Sequence, residues 1–297
     1  MNLVKPCRVL RHYLDHPIGR RDRIGTLLRM LRWQAGSRLL AAEVAMPFVD
    51  GTRLLMRKGM TGATGNAYVG LMEFEDMAFV LHMLREGDDF LDVGANVGVY
   101  SILAASRGAG VLAVEPVPDT YRRLLDNVHL NGFAKRIDAC NIGVGSKPGN
   151  MRFSTTGGPT NHVLVTWEPE TQAIEVAVDS LDSIAAAKSP AMIKIDVEGF
   201  EANVIQGAYG ILGQSSLQAV LIELNGLGVR YGFSDDDTHA QLLEAGFRPM
   251  RYDPFARRLV ALDWRQDTGN TLYVRPSATL EQRLREAPAA WVFGVAV

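Results

Sequence analysis

The run Phe90-Leu91-Asp92-Val93-Gly94-Ala95-Asn96-Val97-Gly98-Val99-Tyr100-Ser101 reads as a buried strand that ends in an acid, turns on glycine and opens a helix. Glycines let backbone N–H groups approach a ligand closely, and a helix N-terminus offers donors that its own turns do not use. A nucleoside-bearing cofactor needs that geometry. About twenty residues further on, Val111-Leu112-Ala113-Val114-Glu115 reads as a second apolar strand ending in a carboxylate, placed to accept both hydroxyls of a ribose. The turn is G-x-x-x-G and holds Ala95-Asn96 where a dinucleotide pyrophosphate requires a middle glycine. It therefore favours S-adenosylmethionine over NAD.

Outward from this turn the chain alternates regularly. Strand 89–93, helix 97–107, strand 111–115, helix 119–130 and strand 136–141 follow one another through short connections, and the order resumes with strand 191–196, helix 201–208 and strand 217–224. Repeated strand–helix–strand order predicts an α/β fold with right-handed crossovers, a parallel sheet covered on both faces, and ligands at the carboxyl ends of the strands. Between the two runs, Gly145, Pro148, Gly149, Gly157, Gly158 and Pro159 punctuate short β-like pieces at 151–155 and 174–178, which predicts a hairpin insertion. A helix at 238–245, a run at 247–252 and a strand at 271–275 complete the sheet. Nearer the start, Ile24, Leu27, Leu28 and Leu31 recur at helical spacing with Arg20, Arg21, Arg23, Arg29 and Arg32 around them. This basic amphipathic helix either caps the domain with solvated arginines or touches an anionic surface or partner. Asp50-Gly51 between apolar runs predicts a hairpin over 48–56, and a helix over 75–85 stops at Gly87.

Met192-Ile193-Lys194-Ile195-Asp196-Val197-Glu198-Gly199-Phe200-Glu201 is the second informative block. Strand alternation points Lys194, Asp196 and Glu198 one way and the aliphatic residues the other. Three charges at the end of an apolar strand are costly to bury unless paired or functional. Either Lys194 closes the sheet in an ion pair or the acids work on a ligand. Glu223 and Asn225 end the next strand, and with Asp196 they offer oxygen ligands that would suit Mg²⁺.

Together, D-V-G-A-N-V-G at 92–98, Glu115-Pro116 with Asn127 and Asn131-Gly132, I-K-I-D-V-E-G at 193–199 and I-E at 222–223 resemble the FkbM family of S-adenosylmethionine-dependent methyltransferases. The resemblance spans residues 70–275 and implies the Rossmann-like class I methyltransferase fold. That fold has a seven-stranded, mostly parallel sheet with helices on both faces and an antiparallel last strand. It also implies methyl transfer to a hydroxyl oxygen of a small molecule such as a sugar, glycolipid or polyketide. By the same resemblance Gly94, Asn96 and Gly98 cradle the methionine part, Asp92 holds the turn or the amino group, Glu115 takes the ribose and Asn141 reaches the adenine. Residues 1–69 then form an N-terminal extension of helix and hairpin, and 276–297 a C-terminal tail. An activated methyl donor asks chiefly for alignment, and a base that removes the hydroxyl proton adds roughly 10²–10⁴-fold. Asp196 and Glu198 are the first candidates, as base or substrate clamp, and His162, in the loop after Gly157-Gly158-Pro159, is a third. The family pattern demands no metal. Tyr252-Asp253-Pro254-Phe255 looks like the D-P-P-F motif of base-amino methyltransferases but lacks a proline and follows the wrong strand.

At 297 residues, 47% hydrophobic and 22% charged, the chain can bury one substantial core. A net charge of −2 and a pI near 6.3 speak against nucleic acid as a partner. The charge is uneven: residues 1–60 hold twelve Lys or Arg against four Asp or Glu. Two cysteines, Cys7 and Cys140, make a disulfide framework implausible. The N-terminus has no apolar h-region and no run reaches about 18 apolar residues, so neither a signal peptide nor a membrane span is predicted and the cytoplasm is the expected location. Two other readings fit less well. An NAD-dependent oxidoreductase would need the missing glycine, and a non-catalytic cofactor-binding scaffold would have no use for the acids at 196 and 198.

Overall fold

A computed structural model describes residues 4–39, 43–57, 59–155, 161–165 and 173–297. Apolar residues on both faces of short strands build its centre. On the strand Asp89–Val93, Phe90 enters one core while Leu91 and Val93 enter a second. Val111 and Ala113 against Leu112 and Val114 repeat the division, as does Met192 against Ile193 and Ile195. Each large apolar side chain removed from water contributes about 1.5–3 kcal/mol, so a one-residue slip, which exchanges the two faces, is strongly disfavoured.

The sheet has eight strands in the order Arg258–Ala261, Arg248–Asp253, Asn270–Val274, Ala219–Glu223, Pro190–Ile195, Asp89–Val93, Gly110–Val114 and Ile137–Cys140. The last five are mutually parallel, and Asn270–Val274 runs antiparallel to both of its neighbours. The mostly parallel sheet with an antiparallel last strand is as expected, but the count of seven needs correction. Arg258–Ala261 is an added edge strand, paired with Arg248–Asp253. Its turn closes because Asp253 Oδ1 accepts the N–H groups of Phe255 and Ala256, at 3.2 and 3.0 Å, while Arg257 takes a φ of +51°. Tyr252-Asp253-Pro254-Phe255 is thus a hairpin corner at the sheet's outer edge.

The predicted insertion is a separate three-stranded sheet of Gly143–Gly145, Gly149–Ser154 and Ala173–Ser180. Residues 156–160, which hold Gly157, Gly158 and Pro159, lie outside the described residues. At the N-terminal end, helices Val4–Asp15, Pro17–Arg21 and Arg23–Leu39 precede a hairpin of Val44–Pro47 with Arg53–Met56. Asp50 and Gly51 turn it at φ +49° and +82°, as the D-G pair predicts. Ile18, Trp33, Leu54 and Met56 share one core with Phe79 and Phe90, and so do Leu280, Leu284 and Val292 near the other end. The two terminal stretches therefore pack as parts of the central unit.

Helix Arg23–Leu39 turns its apolar stripe outward. Ile24 is 76% and Leu31 65% exposed, whereas Thr26 and Trp33 are buried. Arg29 fixes this orientation: its guanidinium binds the Tyr68 carbonyl and the Asp22 carboxylate, both at 2.8 Å, and stacks 4.0 Å over the Phe293 ring. Among the described residues no helix is long and apolar enough to cross a membrane.

Candidate active site

The turn after the strand Asp89–Val93 is built on left-handed backbone. Gly94, Asn96 and Gly98 have φ of +78°, +52° and +86°, and the Gly94 and Ala95 N–H groups both donate to the Val114 carbonyl at 3.0 Å. A Cβ on Gly94 would fall 1.9 Å from the Asp196 carbonyl oxygen, so only glycine lets these two strand ends close on each other. Gly98 opens helix Val99–Ser106, and a Cβ there would meet Leu124 of the next helix at 2.4 Å. Its smallness serves helix packing, and it lines neither cavity described below. Buried Asn127 supports the turn, donating to the Val97 carbonyl at 2.8 Å while accepting the Leu55 N–H at 2.7 Å.

Two cavities meet at this turn. A narrow one of about 60 Å³ is walled by Val114, Glu115, Val117, Ile142, Phe153 and Val163. A wide one of about 350 Å³ is walled by Arg57, Met60, Met72, Glu73, Tyr100, Arg123, Lys194 and Glu223, with Asp92 at its floor. Gly94, Asn96, Thr120, Asp196 and Glu198 line both.

Glu115 is held from behind. Its Oε2 accepts the Asn96 N–H at 3.0 Å and its Oε1 the Val117 N–H at 2.9 Å, which leaves lone pairs on both oxygens for a vicinal diol. Burial pushes its carboxyl up to about 7 in spite of those two N–H groups. Asn141 and His162 do not stand where the sequence placed them. Asn141 is exposed, its Nδ2 donating to the carbonyls of Glu115 and Pro116 at 2.8 and 2.9 Å, so it braces the loop while Ile142 faces the narrow cavity. His162 sits between Asn161 and Val163, which line that cavity. Its ring Nδ1 lies 3.5 Å from Ser154 Oγ, and it lines neither cavity.

The acids gather around a single ammonium. Asp92 and Lys194 are register partners on adjacent strands and both are buried. Lys194 Nζ lies 2.8 Å from Asp196 Oδ2 and 4.9 Å above the Tyr100 ring. Tyr100 in turn donates its hydroxyl to Glu73 at 2.5 Å, and Ser101 donates to Asp92 at 2.6 Å. Burial alone would push the Lys194 ammonium down, but the carboxylates of Asp196, Asp92 and Glu73 outweigh it and hold the group above its ordinary value. Burial, with Asp196 and Glu223 beside it, pushes Glu198 up to about 7, and burial with Glu73 does the same to Asp76. Glu223 is raised by burial and by the neighbouring Asp196 and Glu73. Glu198 also holds a φ of +55°, a conformation that non-glycine residues keep only where the surroundings enforce it. Glu201 supplies that enforcement: its Oε1 accepts the N–H groups of Val197 and Gly199 at 3.0 and 3.2 Å.

The cluster brings Asp92, Asp196 and Glu198 together as the sequence predicts, and adds Glu73, Asp76 and Tyr100, which it does not. Tyr100 reads in sequence only as a helix residue after the turn, and Glu73 as the residue before another helix. Among the described residues no three His, Cys, Asp or Glu side chains are grouped to hold a metal, and the Asn225 side chain accepts from the Leu227 N–H at 3.1 Å.

The family model of the methyltransferase FkbM domain matches residues 92–249, more than half of the chain. A hexuronic acid methyltransferase, AglP of Haloferax volcanii, is 27% identical over 154 residues, which cover 52% of this chain and 62% of that protein. The 31-O-demethyl-FK506 methyltransferase FkbM of Streptomyces tacrolimicus is 28% identical across 45% of this chain and 65% of its own length. The chain thus spans somewhat under two thirds of these relatives. The crystal structure of a methyltransferase FkbM from Methylobacillus flagellatus aligns with a TM-score of 0.43 at 15% identity, covering 84% of this chain and 59% of that one.

Proposed function

Because this chain belongs to the FkbM methyltransferase family, we propose that its cleft moves a methyl group from S-adenosylmethionine to a hydroxyl oxygen of a small polar acceptor. One observation carries the reading: a narrow apolar cavity beside Glu115 and a wide carboxylate-rimmed cavity meet at Gly94, Asn96, Asp196 and Glu198. The first fits an adenine with its ribose on Glu115, and the second fits an acceptor rich in hydroxyl donors. When bound, S-adenosylmethionine supplies an electrophilic methyl group on a positively charged sulfur. The surrounding carboxylates are complementary to that charge and to the amino group.

Glu198, at the junction, takes the proton that the acceptor hydroxyl gives up. A carboxylate raised to about 7 combines adequate basicity with a large deprotonated fraction near neutral pH. Asp196 is fixed by Lys194, so it clamps a hydroxyl rather than carrying a proton. Tyr100 and Glu73 continue the polar wall. Lys194 is engaged by the carboxylates, whereas Arg57 and Arg123, the latter 4.0 Å from Glu43, are further cations in the wall of the wide cavity and suit an acceptor that carries an acid group, such as a uronic acid. The names of the two relatives support an acceptor of the sugar or polyketide class.

Calorimetric titration with S-adenosylmethionine and with NAD, followed by transfer of labelled methyl to neutral sugars and to uronic acids, tests the proposal. Binding of S-adenosylmethionine alone and label on a hydroxyl are expected. Binding of NAD instead, or S-adenosylmethionine bound with no label transferred to any hydroxyl acceptor, would overturn it.

A further inference from the structure

We propose that the outward face of helix Arg23–Leu39 docks on a bilayer surface that carries anionic lipid. On a helical projection Ile24, Leu27, Leu28, Leu31 and Leu39 fall on one side, and all five are exposed, Ile24 at 76%, Leu31 at 65% and Leu39 at 83%. Arg23 and Arg32 flank the stripe on its two edges and are exposed. The helix contains no Asp or Glu, and the carboxylate of Asp22, just before it, is engaged by Arg29 at 2.8 Å. The inward side is occupied by Thr26, Arg29 and Trp33, so the stripe is turned out by built contacts and is ready without rearrangement.

An apolar stripe rimmed by arginine and free of acid needs an occupant with both apolar depth and negative charge. An anionic membrane interface offers both. A second copy of the same face offers only the first, since a twofold contact of this stripe on itself would bring arginine rims together. The helix also packs on Thr61–Val69 through the Arg29 bond to the Tyr68 carbonyl, and Asn66 of that helix lines the wide cavity. Docking would set the cavity wall one helix away from the lipid.

Flotation of the full chain with phosphatidylcholine vesicles, and with vesicles of phosphatidylcholine and phosphatidylglycerol in equal parts, tests this. The wild type should float with the mixed vesicles only, and added salt should weaken the binding. Ile24→Glu with Leu31→Glu should abolish flotation, and Arg23→Gln with Arg32→Gln should weaken it at least tenfold. These exposed positions leave the fold intact, so S-adenosylmethionine affinity should be unchanged in both variants. A wild type that stays with the free protein, or flotation that the Glu variant retains, would overturn the proposal. So would a lipid-free dimer that the Glu variant converts to monomer when no vesicle binding is seen, because the face would then be an interface between copies.

Discussion

Glu198 combines a left-handed backbone, partial burial and a carboxyl raised to about 7 at the point where the two cavities join. Glu198→Gln should therefore lower kcat/KM by about 10²-fold or more, within the range for general acid–base groups, with cofactor affinity changed by less than a few-fold. A base works deprotonated, so wild-type kcat/KM should rise with pH through about 7 and the variant should lack that limb. Full turnover by Glu198→Gln would place the base elsewhere. Asp196→Asn is a poorer probe, because it removes the negative charge nearest the buried Lys194 ammonium and so perturbs the fold as well as the chemistry. Glu115→Ala should raise the S-adenosylmethionine dissociation constant at least tenfold, since charge-assisted bonds to two hydroxyls are worth about 1.5–3 kcal/mol each at most. Unchanged affinity in titration would take Glu115 out of the site. Glu115, Asp196 and Glu198 are legible in the sequence because each sits at the carboxyl end of a recognisable strand. Glu73 and Tyr100 are not, since they lie 27 residues apart in the chain and only the packing of their two helices brings them together.

Among the elements, the strand and helix rhythm from residue 89 onward is set by local apolar spacing, which is why it can be read without the structure. Helix Arg23–Leu39 shows where that stops. Periodicity defines a stripe but not which way it faces, and here the choice is made by Arg29 and Trp33 against partners as distant as Tyr68 and Phe293. The edge strand Arg258–Ala261 was hidden for a related reason, its hairpin depending on an Asp253 turn that resembled an unrelated motif. Asn127 couples elements that look independent in sequence, the N-terminal hairpin and the cofactor turn. Asn127→Ala strands the Leu55 N–H and the Val97 carbonyl, at a cost of about 1–3 kcal/mol for each group left without a partner. Melting temperature should drop and the cofactor dissociation constant should rise severalfold. Asn131→Ala removes two bonds to Arg53 on the hairpin and one to the Asn127 carbonyl in its own helix, but none to the cofactor turn, so cofactor affinity should stay close to wild type. Equal effects of the two variants on affinity would sever the proposed link between hairpin and turn.

Over the whole molecule, the buried acids give stability an unusual dependence on pH. Burial raises Asp76, Glu115, Glu198 and Glu201 to about 7, and raises Asp92 and Glu223 as well. The folded chain thus keeps protons that the unfolded chain releases near pH 4, and stability falls as pH rises until these groups have ionised in the folded state too. Three histidines oppose this: burial lowers His16 and His82 to about 4 from 6.5 and lowers His239 as well, so below about 6.5 the unfolded chain holds extra protons on them and their own contribution to stability rises with pH. Lys194 adds no slope, being protonated in both states throughout this range. The raised carboxyls outnumber the lowered histidines, so the melting temperature should fall from about pH 5.5 to about 7.5, through the folded carboxyl values near 7, and level off above. Asp76→Asn keeps an oxygen to accept from Asn270 and removes one of the titrating groups, so it should flatten this fall and melt higher than wild type in mildly alkaline buffer. Bound S-adenosylmethionine sets a positive charge beside the carboxylates and favours their ionised form, so it should raise the melting temperature more at about pH 8 than at about pH 6. A cofactor-induced shift of equal size at both would mean that the acid cluster does not face the cofactor.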